Sequence, residues 1–235
     1  MGAIMALGFG NASCSDERAG PDAEGAWTRE RREMMEILRR YEVRDERVLR
    51  AMGKIRRHVF IPESFRHHGE AYGDHPCPIG HGQTISQPYI VAYMTEKLAL
   101  QPGETVLEVG TGSGYQAAVL AEMGACVYSM EIIPELAQHA RAVLAQEGYA
   151  ATVQVLTGDG YRGWPEHAPF DAIMVTCAPA DVPPALVKQL KEGGRFILPV
   201  GAWLSQRLVI LRKVRGRIEQ ADDLPVQFVP MVKGP

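Results

Sequence analysis

Apolar positions recur at helical spacing in the first third of the chain and in short unbroken runs thereafter. Met34, Ile37, Leu38 and Tyr41 fall on one stripe and predict a helix over 28–41. Val48, Leu49, Met52 and Ile55 predict a second over 45–55. Residues 58–82 lose the periodicity, are rich in His, Gly and Pro, and read as a long irregular segment of the kind that is often functional. A helix resumes at Pro88, with Ile90, Val91, Met94 and Leu98 on its inner face, and Gln101-Pro102-Gly103 ends it.

From there the pattern becomes regular. TVLEVG (105–110), CVYSMEI (126–132), VQVLTGD (153–159), FDAIMVTC (170–177) and RFILPVG (195–201) read as buried strands. Helices are predicted between them at 113–123, 134–146 and 182–190, the middle one opened by Pro134 and followed by Gly148. Gln206 to Arg212, then Gly216, predict a hairpin leading into the C-terminal tail. Strands that alternate with helices build βαβ units, and continuous apolar strands are those covered on both faces of a parallel sheet. The class is therefore α/β. In such sheets ligands bind beyond the carboxyl ends of the strands, which locates a site before any motif is read.

Composition narrows the picture. A chain of 235 residues, 46% hydrophobic, suffices for one sizeable core. The net charge of −3 gives no basic excess and so no support for nucleic-acid binding. The run Arg29, Arg31, Arg32, Arg39 and Arg40 reads as the solvated face of a helix. No apolar run approaches membrane-span length. The four cysteines contain no Cys-x-x-Cys pair, and Cys126 and Cys177 sit in apolar runs as small core residues, so nothing asks for an oxidising compartment. Residues 1–27 read as a tail, with 28–235 as a single domain divided into an N-terminal helical and loop region (28–100) and a core with extension (101–235). The rival reading of the tail is an export-signal remnant with Cys14 as a lipid-attachment point, but the basic n-region is missing. The expected location is cytoplasmic.

Chemistry concentrates at the strand ends. In LEVGTGSGY, Gly110, Gly112 and Gly114 follow a strand and open a helix, where the chain must turn sharply and a ligand must approach closely. The dinucleotide fingerprint G-x-G-x-x-G is not matched: the third glycine comes one residue early and Tyr115 stands where glycine is needed, which counts against a pyrophosphate. Glu108, just before the loop, is expected to place negative charge near the ligand, which suits an ammonium and a sulfonium. Glu131 ends the next strand, where an acid can take both ribose hydroxyls. Asp159 in TGDG and Thr176 in VTCAP end the third and fourth strands. Each has a plainer reading: a glycine turn that packs helix on strand, a strand-end carboxylate, an Asp-Gly turn. Together they form one arc, and the arc resembles the class I S-adenosylmethionine-dependent methyltransferases.

The stretch GQTISQP (82–88) places Thr84 and Ser86 between Gln83 and Gln87 at the mouth of a helix. Two readings stand for Ser86, a helix N-cap or part of a site that grips something polar.

From about Met34 to Lys233 the chain resembles the protein-L-isoaspartate O-methyltransferase family. The resemblance rests on RHVFIPESF (57–65), PIGHGQTISQPYIVAYM (78–94), LEVGTGSGYQAAVLAEM (107–123), SMEIIPELA (129–137), GDGYRGWPEHAPFDAIMVT (158–176), LKEGGRFILPVG (190–201) and LPVQFVPMVKG (224–234). It implies a Rossmann-like sheet flanked by helices, with extra N-terminal helices and a C-terminal β extension. It implies methyl transfer from S-adenosylmethionine to the α-carboxylate of L-isoaspartyl residues in damaged proteins, leading through a succinimide back to aspartate. Ser86 matches the family's catalytic serine. The resemblance assigns Gln83, Thr84, Ile85, Val229 and Pro230 to the substrate. It assigns Glu108, Gly110, Thr111, Gly112, Ser113, Gly114, Glu131, Asp159, Gly160 and Thr176 to S-adenosylmethionine. The partners it implies are isoaspartyl proteins and peptides, with no nucleic acid, no membrane and no metal, and the enzyme is expected to be a monomer.

The chain departs from the family pattern at Cys77, where leucine is usual, and in its concentration of His67, His68, His75 and His81. A zinc site built from these lacks a His-x-x-x-His pair on a predicted helix, and the family needs no metal. Two other classes share the glycine loop, a methyltransferase acting on RNA or a small molecule and a non-catalytic binding module. The first has no reason to carry GQTISQP, and the intact set of polar strand ends argues against the second.

Overall fold

The predicted alternation of strands and helices folds as a seven-stranded sheet; the computed structural model describes residues 23–202 and 205–234. The chain enters through α1 (Ala23–Arg40) and α2 (Glu46–Lys54), then a short antiparallel hairpin of β1 (Cys77–Gly80) and β2 (Gln83–Ile85), then α3 (Pro88–Leu98). The core follows as β3 (Thr105–Val109), α4 (Tyr115–Glu122), β4 (Cys126–Glu131), α5 (Pro134–Gln146), β5 (Val153–Thr157), β6 (Phe170–Val175), α6 (Pro184–Gln189) and β7 (Leu190–Val200). β8 (Arg207–Val214) and β9 (Arg217–Pro225) complete the sheet.

The strand order is β5-β4-β3-β6-β7-β8-β9. Strands β3 to β7 run parallel, and β8 and β9 are added antiparallel. The sheet thus ends in β5 on one side and β9 on the other. The chain steps outward from β3 to β5, then returns to lay β6 on β3's other side. That reversal puts a topological switch point between β3 and β6.

Strand residues alternate between two apolar clusters, one on each face. Val106, Ala172, Met174 and Ile197 pack on the side of the N-terminal helices, α4 and α5. Leu107, Val109, Ile173, Val175 and Leu198 pack on the side of α6. This double coverage is why the strands read as unbroken apolar runs.

Three expectations need correction. α1 starts at Ala23, so residues 23–27 are helical and not tail. Trp27 explains it: its ring stacks between His58 and His68 at centroid distances of 4.7 and 3.7 Å, anchoring the first turns. The rest of the tail reading, Cys14 included, falls on residues outside the described ones. Second, the segment 58–82 is not wholly irregular. It holds two 3-10 turns, Arg57–Phe60 and Glu63–Phe65, and strand β1. A strand of four residues containing Pro78 and Gly80 is too short to show a two-residue period. Third, β7 begins at Leu190 rather than at 195: Phe170 pairs with Leu190 and Ala172 with Arg195, so residues 191–194 bulge out.

Candidate functional site

The carboxyl ends of β3, β4 and β6 meet at the switch point, and backbone bonds lock the loop between them. Gly110 and Thr111 donate to Met130 O at 2.8 and 3.1 Å, and Thr176 N donates to Val109 O at 2.9 Å. The Thr176 hydroxyl donates to Gly110 O at 2.6 Å. Gly110 has φ of +100°, and a Cβ there would lie 2.5 Å from Thr176 Oγ1. Only glycine fits that turn.

Glu131 closes the arc from β4. Its Oε2 accepts from Gly112 N at 2.7 Å and its Oε1 from Ile133 N at 3.0 Å. Each oxygen keeps a further lone pair for another donor. A cavity opens along this arc. Of the residues that the resemblance assigns to the cofactor, Gly110, Thr111, Gly112, Ser113, Glu131, Gly160 and Thr176 line it.

Three residues assigned to the cofactor lie off this wall. Glu108 faces inward beneath the loop, wholly buried, with Oε2 2.5 Å from Ser129 Oγ. Burial, with the nearby Glu131 charge adding to it, pushes its carboxyl up to about 8 against the Ser129 hydrogen bond. It therefore does not present negative charge to the cavity. The period-two alternation of β3 turns Glu108 to the same face as Val106, away from the strand end. Gly114 sits at the N-cap of α4 with φ of +87°, and a Cβ there would press on Ala140 and Leu144 at 3.3 Å. Its task is packing α4 on α5. Asp159 accepts from Tyr161 N at 2.9 Å and caps a 3-10 turn, Gly160–Arg162. The plainer turn reading describes its contacts.

A second groove adjoins the first. The two share Thr84, Ser86, Thr176 and Val229, so Ser86 stands on their common wall. The cap reading of Ser86 fails on geometry. The N-cap of α3 is Gln87, and the first-turn N–H of Tyr89 is taken by Asp74 Oδ1 at 2.8 Å. Gln87 Nε2 donates to the other Asp74 oxygen at 2.8 Å. Asp74 caps from outside, which leaves the serine hydroxyl without that duty. Gln83 and Ile85 line the first cavity beside Thr84.

The far wall comes from the end of the chain. Ala178 N donates to Val229 O and Met231 N to Ala178 O, both at 2.8 Å, so residues 229–231 run alongside the loop after β6. Buried Gln206 holds this strap: its Oε1 accepts from Phe228 N at 2.6 Å and its Nε2 donates to Phe228 O at 3.0 Å. Val229 and Pro230, which the resemblance assigns to the substrate, line the first cavity together with Met231, Val232 and Cys177. Asp74 and Gln206 were missed. Each acts through a partner 13 or more residues away, which no local spacing reveals.

The histidines disperse. His68 meets Glu30 at 2.8 Å, His75 meets Glu70 at 3.2 Å, and His81 occupies a turn with φ of +53°. Among the described residues no group of three His, Cys, Asp or Glu is arranged to hold a metal, and no helix is long and apolar enough to cross a membrane.

Known proteins resemble this chain over most of its length. A protein-L-isoaspartate O-methyltransferase of Gloeobacter violaceus is 53% identical over 199 residues, covering 84% of this chain and 96% of that one. A solved protein-L-isoaspartate O-methyltransferase superposes with a TM-score of 0.78 at 31% identity, over 85% of this chain but 65% of the other. The enzyme of Plasmodium falciparum, solved in complex with S-adenosyl-L-homocysteine, superposes with a TM-score of 0.76 at 26% identity, over 86% of this chain and 98% of that one. The sequence profile described as protein-L-isoaspartate(D-aspartate) O-methyltransferase matches residues 29–235, and the chain belongs to that family.

Proposed function

We infer that this chain methylates the free α-carboxylate of L-isoaspartyl residues in proteins and peptides, with S-adenosylmethionine as donor, and that Ser86 orients the acceptor. The observation that carries the assignment of Ser86 is its place on the wall shared by the two cavities, between a donor side and an acceptor side.

The residues of the first cavity suit the donor. Glu131 offers two carboxylate oxygens to a pair of ribose hydroxyls, and Gly110 and Gly112 let the ligand approach backbone. When bound, S-adenosylmethionine supplies an electrophilic methyl on a sulfonium. The acceptor carboxylate, with an ordinary pKa near 4, is already ionised at neutral pH, so no general base is required of the protein. The site must supply alignment instead, worth several kcal/mol. Ser86 donates a hydrogen bond that orients the carboxylate, and Thr84 and Gln83 beside it hold the substrate backbone or the loop itself, where Gln83 Nε2 donates to His81 O.

The second groove adds a physical reason for its composition. Its lining residues, Pro76, Ile90, Pro225, Phe228 and their neighbours, carry no charge. The reaction joins an anion to a cationic donor and ends in neutral products, so charge is lost on the way to the transition state. A fixed lysine or arginine would hold the carboxylate more tightly in the ground state than in the transition state. Neutral donors avoid this. Val229 and Pro230 supply the apolar wall against the substrate backbone. We place the enzyme in the cytoplasm, where the donor is made, acting as a monomer.

The deciding experiment offers the protein an isoaspartyl peptide and the matching aspartyl peptide with labelled donor. Label is expected on the isoaspartyl peptide alone. Equal labelling of both would overturn the substrate assignment, and donor binding without labelling of either would overturn the activity.

A further inference from the structure

Beneath the glycine loop lies a buried polar chain to which the reaction as described gives no task. Glu108 on β3 and Ser129 on β4 are register partners. Ser129 Oγ lies 2.5 Å from Glu108 Oε2 and 2.5 Å from Thr111 Oγ1. Glu108 and Ser129 are fully buried and Thr111 nearly so, yet Thr111 lines the donor cavity. On the other side Glu108 pairs with Met174, which brings no polar group. Glu108 Oε1 has no hydrogen-bond partner. Among the described residues no lysine, arginine or histidine pairs with this carboxyl, and the charged group acting on it is Glu131, of the same sign.

Counting hydrogens shows what is at stake. Two short oxygen–oxygen contacts need two hydrogens. If Glu108 is ionised, Ser129 donates to it and Thr111 donates to Ser129, so the Thr111 hydrogen is committed downward. If Glu108 is a neutral acid, it donates to Ser129, Ser129 donates to Thr111, and the Thr111 hydrogen is free to point into the cavity. We propose that Glu108 is a positioning residue kept protonated, which directs the Ser129–Thr111 relay so that Thr111 offers a hydroxyl donor to an acceptor group on the bound methyl donor. The placement supports this: a lone carboxylate buried beside Glu131 with an empty oxygen is costly, and a neutral acid is not. Its titration near 8 lies close enough to physiological pH for the relay to reverse in alkali.

The inference rests on the methyl-donor reading, and its test separates the two. Binding of S-adenosylhomocysteine is measured by calorimetry from roughly pH 6 to roughly pH 9, either side of the value near 8. The ratio of wild-type to Glu108→Gln affinity removes the ligand's own titration. Wild-type affinity is expected to fall about tenfold relative to Glu108→Gln across this range, the scale of one hydrogen bond. At the acid end Glu108→Gln should stay within about threefold of wild type, since its amide still donates to Ser129. Glu108→Ala and Ser129→Ala should both lose the pH-dependent part. Infrared spectra, which need no ligand, should show the carbonyl band of a protonated carboxylic acid in wild type and not in Glu108→Gln. A raised carboxyl also makes stability full below the ordinary value of 4.5 and lost as pH rises through about 8. Melting curves of Glu108→Gln should lack that slope. Absence of the band in wild type at neutral pH overturns the proposal. So does an acid-end affinity in Glu108→Gln as low as in Ser129→Ala with an unchanged melting temperature. Failure of wild type to bind the ligand at all, with the band present, counts against the methyl-donor reading instead.

Discussion

The two walls of the site are built on different terms. The donor wall is the set of strand ends around the switch point, and regular ladders continue straight into it. Gly110, Thr111, Thr176 and Glu131 are each held by backbone bonds to a neighbouring strand or loop. The acceptor wall is assembled from the small β1–β2 hairpin and the strap at 226–232, which lie outside the seven-stranded sheet. A few individual contacts hold it: Asp74 on α3, Gln206 on Phe228, and the bridge between Ala178 and Pro230. The donor is one fixed molecule and meets a wall set by the sheet. The acceptor is a polypeptide of changing sequence and meets a wall whose parts are joined one bond at a time.

This contrast makes claims that substitutions can break. The largest effect is expected at Ser86. Ser86→Ala should cut methylation by roughly 10- to 1000-fold while leaving S-adenosylhomocysteine affinity nearly intact, because the lost bond matters most in the transition state. Thr84→Ala should do less. A melting temperature that drops with full turnover would return Ser86 to a structural role. On the donor wall, Glu131→Ala removes the acceptor for Gly112 N and Ile133 N as well as the ligand's partner. Calorimetry should show binding weakened by about 1–3 kcal/mol. An unchanged affinity would mean that the arc is held by its ladder bonds alone. The smallest effect is expected at Asp74. Asp74→Ala deprives Tyr89 N of its cap and should cost about 1 kcal/mol in denaturant unfolding. Its KM for the peptide should rise while donor affinity stays put. Equal loss on both walls would erase the distinction drawn between them.

The same contrast governs what could be read from the sequence. The donor wall was legible because parallel strands announce themselves as apolar runs, and a glycine loop must follow the first of them. Even there Glu108 misled, since its neighbour in the sequence is the loop but its neighbour in space is Ser129. The acceptor wall gave no periodic signal. Ser86, Thr84, Val229 and Pro230 were reached through family resemblance, and spacing alone left Ser86 undecided between cap and site. Asp74, from a segment too irregular to place, takes the first-turn N–H of α3 and so removes the cap reading. Residues 23–27 read as tail because one tryptophan cannot show in sequence that two histidines from another segment close around its ring.

The far edge of the sheet has a bearing on the company this protein keeps. β9 borders the sheet beyond β8. An open strand edge is a template on which a stray extended chain can add itself, and damaged, partly unfolded polypeptides carry many such segments. β9 presents exposed Arg217 and Glu219 along its length and ends in Pro225, which has no N–H to offer. A visiting chain that tried to extend the sheet would have to lie along charged side chains and forgo a bond at the last residue. The edge thereby discourages a visiting chain from adding itself as an eighth strand.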